Sequence, residues 1–312
     1  MATDWSIVAF IPTLGRDLDR LERTIDSVLI RPHSNLTLVV VDNSQDRLVR
    51  ERPGVELIAT GVNLGMVGAM QIVSERYPSD FIWSLQDDMV LLNDCLTPML
   101  RKMRELPAVG ACTPVLDHDG TQPAKLRAGF VKTNDSGNAT WELFPKSPTR
   151  VADLDVDFDF TFVFSSGTLY RTSALEEIGG LDVGLWPLTH VDVDIGIRMS
   201  AKGWKSIICT DARAWHAKGQ STSKGLGRLT TQWNRQRISE DFDSRIKETG
   251  LGFGAWDPMI ARMSHITIEL GSQLSDLAIQ PDRSLTRILM LRTKAAVKKI
   301  FRWLRSGTPP GT

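Results

Sequence analysis

The first half of the chain alternates short β-branched runs with helical patterns, and this alternation limits the fold more than any other feature. Strands are predicted at 6–11, 36–41, 55–60 and 81–85, and helices at 17–29 and 65–76. Such an alternation produces a mostly parallel sheet that is flanked by helices. Because ligands bind beyond the carboxyl ends of these strands, we expect an α/β fold with its functional site at that edge.

The second half continues the α/β pattern after an irregular segment. Residues 117–150 are rich in Asp, Gly, Pro, Thr and Asn, which predicts a loop-rich excursion or a hairpin. Residues 153–160 alternate acidic and apolar side chains, and we interpret them as a half-exposed strand with solvated carboxylates rather than a metal site. Short helices are predicted at 173–178 and 192–202, and a further strand at 204–209.

Two adjacent carboxylates follow the predicted strand 81–85, in the segment Gln86-Asp87-Asp88. Neighbouring carboxylates repel each other, and a cation or a hydrogen-bond donor offsets that cost. A hard divalent ion such as Mg²⁺ or Mn²⁺ binds one or two carboxylates together with phosphate oxygens. Taken alone, the segment is equally compatible with a surface turn, because aspartate is common in turns.

Another acidic group lies at the start of the predicted helix 192–202. The peptide dipoles stabilise a carboxylate there as the anion, so Asp192 can stay ionised and accept a proton. The alternative is that Asp192 is a plain N-cap of the helix. Further along, His216 follows Trp215; imidazole is a good ligand for Mn²⁺, although a histidine in this setting is more often structural.

Short polar turns follow each of the first three predicted strands. Glycine-containing turns that lead into helices can bring backbone N–H groups close to a diphosphate, and an aspartate at a strand end can accept hydrogen bonds from a base or a ribose. Turns favour these residue types in any case, so the order and context of the segments carry the information. The residues concerned are Pro12, Thr13 and Arg16, then Asp42 and Asn43, then Asn63 and Gly65.

Taken in order, these segments resemble the successive motifs of family 2 glycosyltransferases. The resemblance runs from about residue 6 to residue 216, and the Val-Asp spacing near residue 192 is most similar to the rhamnosyltransferase-type branch. The segments are Ile11-Pro12-Thr13, Val41-Asp42-Asn43-Ser44, Asn63-Leu64-Gly65, Gln86-Asp87-Asp88, Ser165-Ser166-Gly167-Thr168-Leu169-Tyr170-Arg171, Ile178-Gly179-Gly180-Leu181-Asp182, Val191-Asp192-Val193-Asp194 and Trp215-His216.

The resemblance implies a GT-A fold, with a Rossmann-like, mostly parallel central sheet flanked by helices, and inversion at the anomeric carbon of the transferred sugar. We expect a catalytic domain at 1–240, with a nucleotide-sugar-binding half at 1–115 and an acceptor-binding half at 116–240, followed by a C-terminal helical extension at 241–312. The implied donor is a nucleotide-diphosphate sugar, either a UDP- or a dTDP-sugar. The implied acceptor is a hydroxyl group of a glycan or of a lipid-linked molecule.

The resemblance also implies a role for each matching residue. Asp192 corresponds to the catalytic base, Asp88 to the carboxylate that binds Mg²⁺ or Mn²⁺, and His216 to a histidine that contacts metal or diphosphate in some members. Asp42 would contact the nucleotide base, and Asp87 the ribose or diphosphate region. The other residues predicted to bind the nucleotide sugar are Pro12, Thr13, Arg16, Asn43, Asn63 and Gly65.

Two positions depart from the family pattern. Gln86 stands where the metal motif usually starts with aspartate. His190 and Val191 precede Asp192 where many relatives have an acidic residue. The second departure leaves Asp194 as an alternative base beside Asp192. Gln86 keeps open a non-catalytic nucleotide-sugar-binding protein, whereas a sugar nucleotidyltransferase is disfavoured because residues 12–16 contain a single glycine instead of a Gly-rich phosphate loop.

Charge and cysteine content bear on location and partners. The 37 basic and 37 acidic residues balance, which argues against a nucleic-acid-binding surface spread over the molecule. Three widely spaced cysteines suit buried thiols in a reducing cytoplasm, and neither a signal peptide nor a membrane-spanning run is predicted. Residues 283–305 have eight basic and no acidic side chains at amphipathic spacing, which predicts a helix that lies on an anionic membrane surface at the inner face of the plasma membrane or packs on the domain.

Overall fold

Four neighbouring parallel strands form the part of the sheet that the sequence predicts. They lie in the order β3-β2-β1-β4, and the interiors of β1, β2 and β4 are apolar and buried, as expected where both faces of a sheet are covered. All four predicted strands are confirmed, with bounds that move by one or two residues. The strands are β1 (Ile7–Thr13), β2 (Leu36–Asp42), β3 (Glu56–Ala59) and β4 (Phe81–Ser84).

The computed structural model describes residues 5–117, 128–133, 139–144, 160–186, 190–217 and 226–240. Within these ranges both predicted helices of the first half are confirmed, as α1 (Leu18–Leu29) and α2 (Gly65–Arg76). Helix α1 begins after Asp17, whose carboxylate accepts a hydrogen bond from the backbone N–H of Arg20. The predicted extension at 241–312, including the basic segment 283–305, lies outside the described residues.

Four further strands extend the same sheet to eight strands. They are β5 (Met89–Leu91), β6 (Val109–Asp117), β10 (Leu169–Arg171) and β11 (Lys205–His216), and the full order is β3-β2-β1-β4-β10-β6-β11-β5. Strand β10 is antiparallel to β4 and β6, and β5 is antiparallel to β11, whereas the other neighbours are parallel. The sheet is therefore mostly parallel, as predicted, and β11 extends well beyond the strand expected at 204–209.

A second, three-stranded sheet has the order β8-β7-β9 and packs beside the large one. Strands β7 (Ala128–Thr133) and β8 (Ala139–Phe144) pair antiparallel, which confirms a hairpin within the described part of 117–150. Strand β9 (Phe162–Val163) pairs with β7. Of the strand predicted at 153–160, residues 153–159 lie outside the described residues, and Phe160 forms an isolated bridge with Ser206.

Four further α-helices follow β5 in the described part of the chain. They are α3 (Leu96–Glu105), α4 (Thr172–Glu177), α5 (Val191–Ala201) and α6 (Leu226–Glu240). Helices α4 and α5 confirm the two short helices predicted at 173–178 and 192–202. Helix α6 packs on the segment before α5, where the Asn234 amide donates to the backbone oxygen of Leu185 over 2.8 Å.

Helix α1 lies along the edge of β5 that does not pair with β11. The Thr24 hydroxyl donates to the backbone oxygen of Met89 over 2.6 Å, and the Ser27 hydroxyl accepts from the backbone N–H of Leu91 over 3.1 Å. Two backbone groups of this strand that point away from β11 are therefore hydrogen-bonded to helix side chains.

The three cysteines are buried and free, which confirms the prediction of buried thiols. Burial raises the pKa of Cys95 to about 12, so this thiol stays protonated near neutral pH. Within the described ranges, none of the helices combines the length and the apolar character that a membrane span requires.

Candidate active site

Three polar side chains from two distant segments meet at the carboxyl edge of the large sheet. His216, the last residue of β11, places its Nε2 atom 2.7 Å from Gln86 Oε1 and 3.1 Å from Asp88 Oδ1. The backbone N–H of Ala217 also donates to the backbone oxygen of Asp88 over 2.9 Å. We call Gln86, Asp88 and His216 the strand-end cluster. The structure thus brings together both residues that the sequence predicts as metal ligands.

The strand-end cluster fits a divalent cation by its chemistry. A carboxylate, an imidazole and an amide oxygen converge, and the Asp88 and His216 side chains keep 13% and 14% of their surface exposed. Among the described residues there is no group of three or more His, Cys, Asp or Glu side chains arranged for a metal ion. The protein would therefore supply part of the coordination, and phosphate oxygens and water would supply the rest.

Asp87 points away from the strand-end cluster, towards the end of β1. Its Oδ2 atom accepts a hydrogen bond from the Thr13 hydroxyl over 2.5 Å. Burial raises the pKa of Asp87, the hydrogen bond from Thr13 opposes this, and the nearby charge of Asp88 raises it further. The two adjacent carboxylates thus have different partners, and Asp87 ties β4 to β1.

Asp42 and Asn43 lie beneath the surface and organise the turn after β2. The Asp42 carboxylate is fully buried and accepts hydrogen bonds from the backbone N–H groups of Ser44, over 2.8 Å, and Val49, over 3.0 Å. Asn43 donates from its backbone to Thr13, over 2.8 Å, and from its amide to Gly65, over 3.2 Å. In this structure both residues fix the backbone of the turns at the edge of the sheet through buried hydrogen bonds.

The other predicted donor-binding residues lie at the same edge. Asn63 accepts a hydrogen bond from the backbone N–H of Gly65 over 2.8 Å, and Gly65 begins α2 with a φ of 66°. Pro12 is half-buried and Arg16 is exposed. The Trp186 indole N–H donates to the backbone oxygen of Asn63 over 2.8 Å, which links this turn to the second half of the chain.

The two aspartates at the start of α5 have different environments. Asp194 is fully buried and forms an ion pair with Arg198, with 2.6 Å between Asp194 Oδ2 and Arg198 Nη2. Asp192 is only half-buried, and its carboxylate accepts from the backbone N–H of Val193 over 3.0 Å and faces that of Ser165 at 3.4 Å. The prediction of Asp192 as an N-cap is wrong: the N-cap is His190, and Asp192 lies inside the first turn.

Two further residues near Asp192 were not among the predicted site residues. Tyr170 is buried, and its pKa is raised well above the usual value by burial and by the charge of Asp192. Burial, aided by the charge of Arg235, lowers the pKa of His190 to about 4. Both side chains are therefore neutral near pH 7. His190 also adopts left-handed backbone, with a φ of 62°, for which the sequence contains no signal.

The loop 165–168 connects Asp192 to the end of β4. Its Gly167 N–H donates to the backbone oxygen of Ser84 over 2.8 Å, and the Ser84 N–H donates to Thr168 over 2.8 Å. A side chain at Gly167 would lie 2.9 Å from Met89, so the loop lies tightly against the segment that contains Asp88. Ser165 at one end of this loop faces Asp192, and Gly167 at the other end contacts Ser84 and Met89, which flank the segment that contains Asp88.

Comparison with known proteins identifies the family and the fold of the chain. The family model described as glycosyl transferase family 2 matches residues 8–179. An N-acetylglucosaminyl-diphospho-decaprenol L-rhamnosyltransferase from Mycobacterium tuberculosis is 23% identical over 233 residues, which is 65% of this chain and 74% of the relative.

Two solved structures are similar in fold. GalNAc-T7 with UDP, GalNAc and Mn²⁺ has a TM-score of 0.59 at 15% identity over 77% of this chain, which spans 50% of that protein's chain. The mannosyltransferase PcManGT from Pyrobaculum calidifontis, in complex with GDP-Man and Mn²⁺, has a TM-score of 0.51 at 15% identity, over 96% of this chain and 87% of its own. These similarities confirm the GT-A fold. Since the family model covers more than half of the 312 residues, the chain belongs to glycosyl transferase family 2 and is a glycosyltransferase.

Proposed function

We propose that this enzyme transfers a sugar, with inversion, from a nucleotide-diphosphate donor to a hydroxyl group of a glycan or lipid-linked acceptor, with Asp192 as general base. The observation that carries the proposal is the position of the Asp192 carboxylate. It is partly exposed, lies in the first turn of α5, and is joined through the loop 165–168 to the segment that contains Asp88. A base on one side and a diphosphate site on the other suit a single displacement at a carbon held between them.

The surroundings of the two candidate carboxylates favour Asp192 over Asp194. A base must reach the proton that it removes, and Asp194 is fully buried against Arg198. Asp192 keeps exposed surface, and the dipole of α5 stabilises its ionised form.

The reaction then follows from the groups in place. Asp192 takes the proton of the acceptor hydroxyl while that oxygen forms a bond to the anomeric carbon, and the bond from this carbon to the diphosphate oxygen breaks. General base catalysis of this kind contributes about 10²- to 10⁴-fold. Asp88 and His216 would hold a Mg²⁺ or Mn²⁺ ion, which when bound neutralises negative charge on the diphosphate.

The donor is held by the turns after β1, β2 and β3 in this proposal. Pro12, Thr13 and Arg16 would line the donor beside Asp87, and Asn63 with Gly65 would present the start of α2 to it. Asp42 and Asn43 are buried, so they would act by fixing the turn that receives the nucleotide base. The edge of the sheet where these turns meet is the expected ligand site of an α/β sheet.

The relative from Mycobacterium tuberculosis suggests the substrates. Its name describes transfer of L-rhamnose to N-acetylglucosaminyl-diphospho-decaprenol. By analogy we assign a UDP- or dTDP-sugar, in particular a deoxyhexose, as the donor, and a lipid-linked sugar diphosphate used in cell-wall or polysaccharide synthesis as the acceptor.

The test is a transfer assay with a panel of UDP-, dTDP- and GDP-sugars, Mg²⁺ or Mn²⁺, and a polyprenyl-diphosphate-linked sugar as acceptor. Release of nucleoside diphosphate together with a glycosylated product identifies the donor, and NMR of the product gives the anomeric configuration. We expect the configuration opposite to that of the donor. A retained configuration, or binding of donors without turnover on any acceptor, would contradict the proposed mechanism.

A lipid-linked acceptor also gives a role to the basic segment 283–305, which we propose contacts anionic lipid. Its eight basic side chains would each interact with a negatively charged surface, while its apolar positions enter the interface. We expect the full chain to sediment with vesicles that contain phosphatidylglycerol and a chain truncated after Asp282 to stay in solution. Equal sedimentation of the two proteins would refute membrane contact through this segment.

A further inference from the structure

Helix α5 meets strand β9 and its preceding residue at Gly196 with no space for a side chain. A Cβ atom at this position would lie 2.4 Å from Phe162 Cβ, 2.5 Å from the backbone oxygen of Thr161 and 2.7 Å from Phe162 Cα. Such distances are far below van der Waals contact, and two of the three neighbours are backbone atoms that cannot rotate away. Only glycine allows the helix to approach the strand this closely.

The same face of α5 carries Asp192. Residues four apart lie above one another on a helix, so Asp192 and Gly196 share the face that looks towards β9. Beyond β9 the chain continues to Ser165, whose backbone N–H faces the Asp192 carboxylate at 3.4 Å. The helix thus touches one continuous segment, 161–165, at two places one turn apart.

Strand β9 is held from its other side. It pairs with β7, and the backbone N–H of Thr161 donates to Gly129 over 3.0 Å. Phe160, one residue earlier, donates to the backbone oxygen of Ser206 over 3.0 Å, and Phe162 is fully buried. If the contact at Gly196 were widened, the helix would therefore move rather than the strand.

The C-terminal half of α5 is fixed as well. Arg198 donates to the backbone oxygens of Ile178, over 2.8 Å, and Gly180, over 2.7 Å, in addition to its ion pair with Asp194. A push at Gly196 acts just before this fixed point. The displacement would therefore reach the N-terminal turn of the helix, which lies on the other side of Gly196 and contains Asp192.

We infer that Gly196 is a positioning residue that sets the distance between the Asp192 carboxylate and the reacting hydroxyl group. The inference rests on the proposed function, because it assumes that Asp192 is the base. Gly196 contacts no substrate in this arrangement. It acts by allowing α5 to dock on 161–162, and this docking decides how far the carboxylate reaches across the loop 165–168.

The first test is Gly196→Ala, with kcat and the donor KM measured separately. A misplacement of about 1 Å in a reacting group can lower the rate about 10²-fold, so we expect kcat to fall by about that factor. The donor KM and the Kd for the nucleoside diphosphate should stay within about twofold, because the donor turns lie on β1 to β4. An unchanged kcat in a folded Gly196→Ala protein would overturn the inference.

Gly110→Ala is the matched control. A Cβ at Gly110 would also be crowded, but by side-chain atoms of Ala174, Met199 and Trp204 at 3.1 to 3.3 Å, at the far end of α5. We expect this variant to lose some thermal stability and to keep its kcat. Equal losses of kcat in both variants would mean that general destabilisation, and not the position of Asp192, explains the effect.

Asp192→Glu gives a readout that does not depend on the folding of the glycine variant. The extra methylene adds one C–C bond of about 1.5 Å and so moves the carboxylate out of position. If the docking of α5 fixes the distance to the reacting hydroxyl group, Asp192→Glu alone should lose at least about tenfold in kcat. In the Gly196→Ala background the same change should restore part of the lost kcat, since a longer side chain offsets a retracted helix. Full activity of Asp192→Glu alone would overturn the inference.

Failure of the positioning role of Gly196 can be distinguished from failure of the proposed function. If the wild-type protein transfers no sugar, or if Asp192→Asn transfers as well as wild type, the proposed function fails before Gly196 is considered. If wild type transfers and Asp192→Asn does not, but Gly196→Ala behaves as wild type, only the positioning role is wrong.

Discussion

The strand-end cluster and the start of α5 supply the site with two different kinds of carboxylate. In the cluster, Asp88 lies 3.1 Å from the imidazole of His216, which comes from the end of another strand. At the start of α5, Asp192 instead faces backbone N–H groups, from Val193 over 3.0 Å and from Ser165 at 3.4 Å. The Asp88 carboxylate lies beside another polar side chain, whereas the Asp192 carboxylate is oriented by the main chain.

This difference matches two different tasks. Converging oxygen and nitrogen atoms are what a divalent cation requires, and they are most useful when the ligands come from rigid strands. A proton acceptor instead requires one carboxylate with exposed surface, held at a defined distance from the group that it deprotonates. In the proposed mechanism, strand pairing would place the cation ligands and the docking of a helix would place the base.

The largest expected effect is on kcat, and it tests whether Asp192 is the base. We expect Asp192→Asn to lower kcat by about 10²- to 10⁴-fold, because the amide cannot accept the proton of the hydroxyl group. Nucleoside diphosphate binding, measured by calorimetry with Mn²⁺ present, should stay as in wild type. A loss smaller than about tenfold would show that another group removes the proton.

The next effect separates the two aspartates of α5 by stability. Asp194→Asn leaves the buried guanidinium of Arg198 without its counter-charge, and breaking such a pair typically costs about 3 to 5 kcal/mol of the free energy of unfolding. Urea denaturation followed by circular dichroism measures this cost. Asp192→Asn serves as the control and should unfold close to wild type, because its carboxylate keeps exposed surface. Equal stability of both variants would contradict the structural role of Asp194.

The smallest effect concerns the strand-end cluster, where the number of charges should tune the cation. Adding a carboxylate with Gln86→Asp should strengthen Mn²⁺ binding in the presence of nucleoside diphosphate, and Asp88→Asn should weaken it, each by about tenfold or about 1.4 kcal/mol. Titration followed by electron paramagnetic resonance measures free Mn²⁺ directly. If Asp88→Asn bound Mn²⁺ as tightly as wild type, the ion would lie elsewhere.

Local sequence patterns were sufficient for the parallel half of the fold. The apolar runs of β1, β2 and β4 and the helical spacing of α1 and α2 depend on neighbours within a few residues, so their periods are visible in the chain. The location of the polar residues that follow these strands could then be predicted, because parallel strands end at the same edge of the sheet. That is why Thr13, Asp42 and Asp88 could be expected at one edge before any contact was known.

Contacts between distant segments could not be predicted in the same way. The meeting of Gln86 with His216 depends on β11 continuing past the irregular pairing between Cys209 and Arg213, which no local period reveals. The buried role of Asp194 had a signal that could have been used, since Arg198 lies four residues later on the same helix face. Its burial nonetheless depends on Ile178 and Gly180, whose carbonyl groups arrive from another segment.

The hydrogen bonds between side chains of α1 and the backbone of β5 affect how readily the protein aggregates in concentrated solution. Sheet edges with unpaired N–H and C=O groups can recruit strands from other molecules, and this begins edge-to-edge aggregation. At β5 the backbone oxygen of Met89 is bound to Thr24 and the N–H of Leu91 is bound to Ser27. A helix therefore shields this end of the sheet from foreign strands, so the chain can expose its substrate edge to solvent without leaving β5 as a template for self-association.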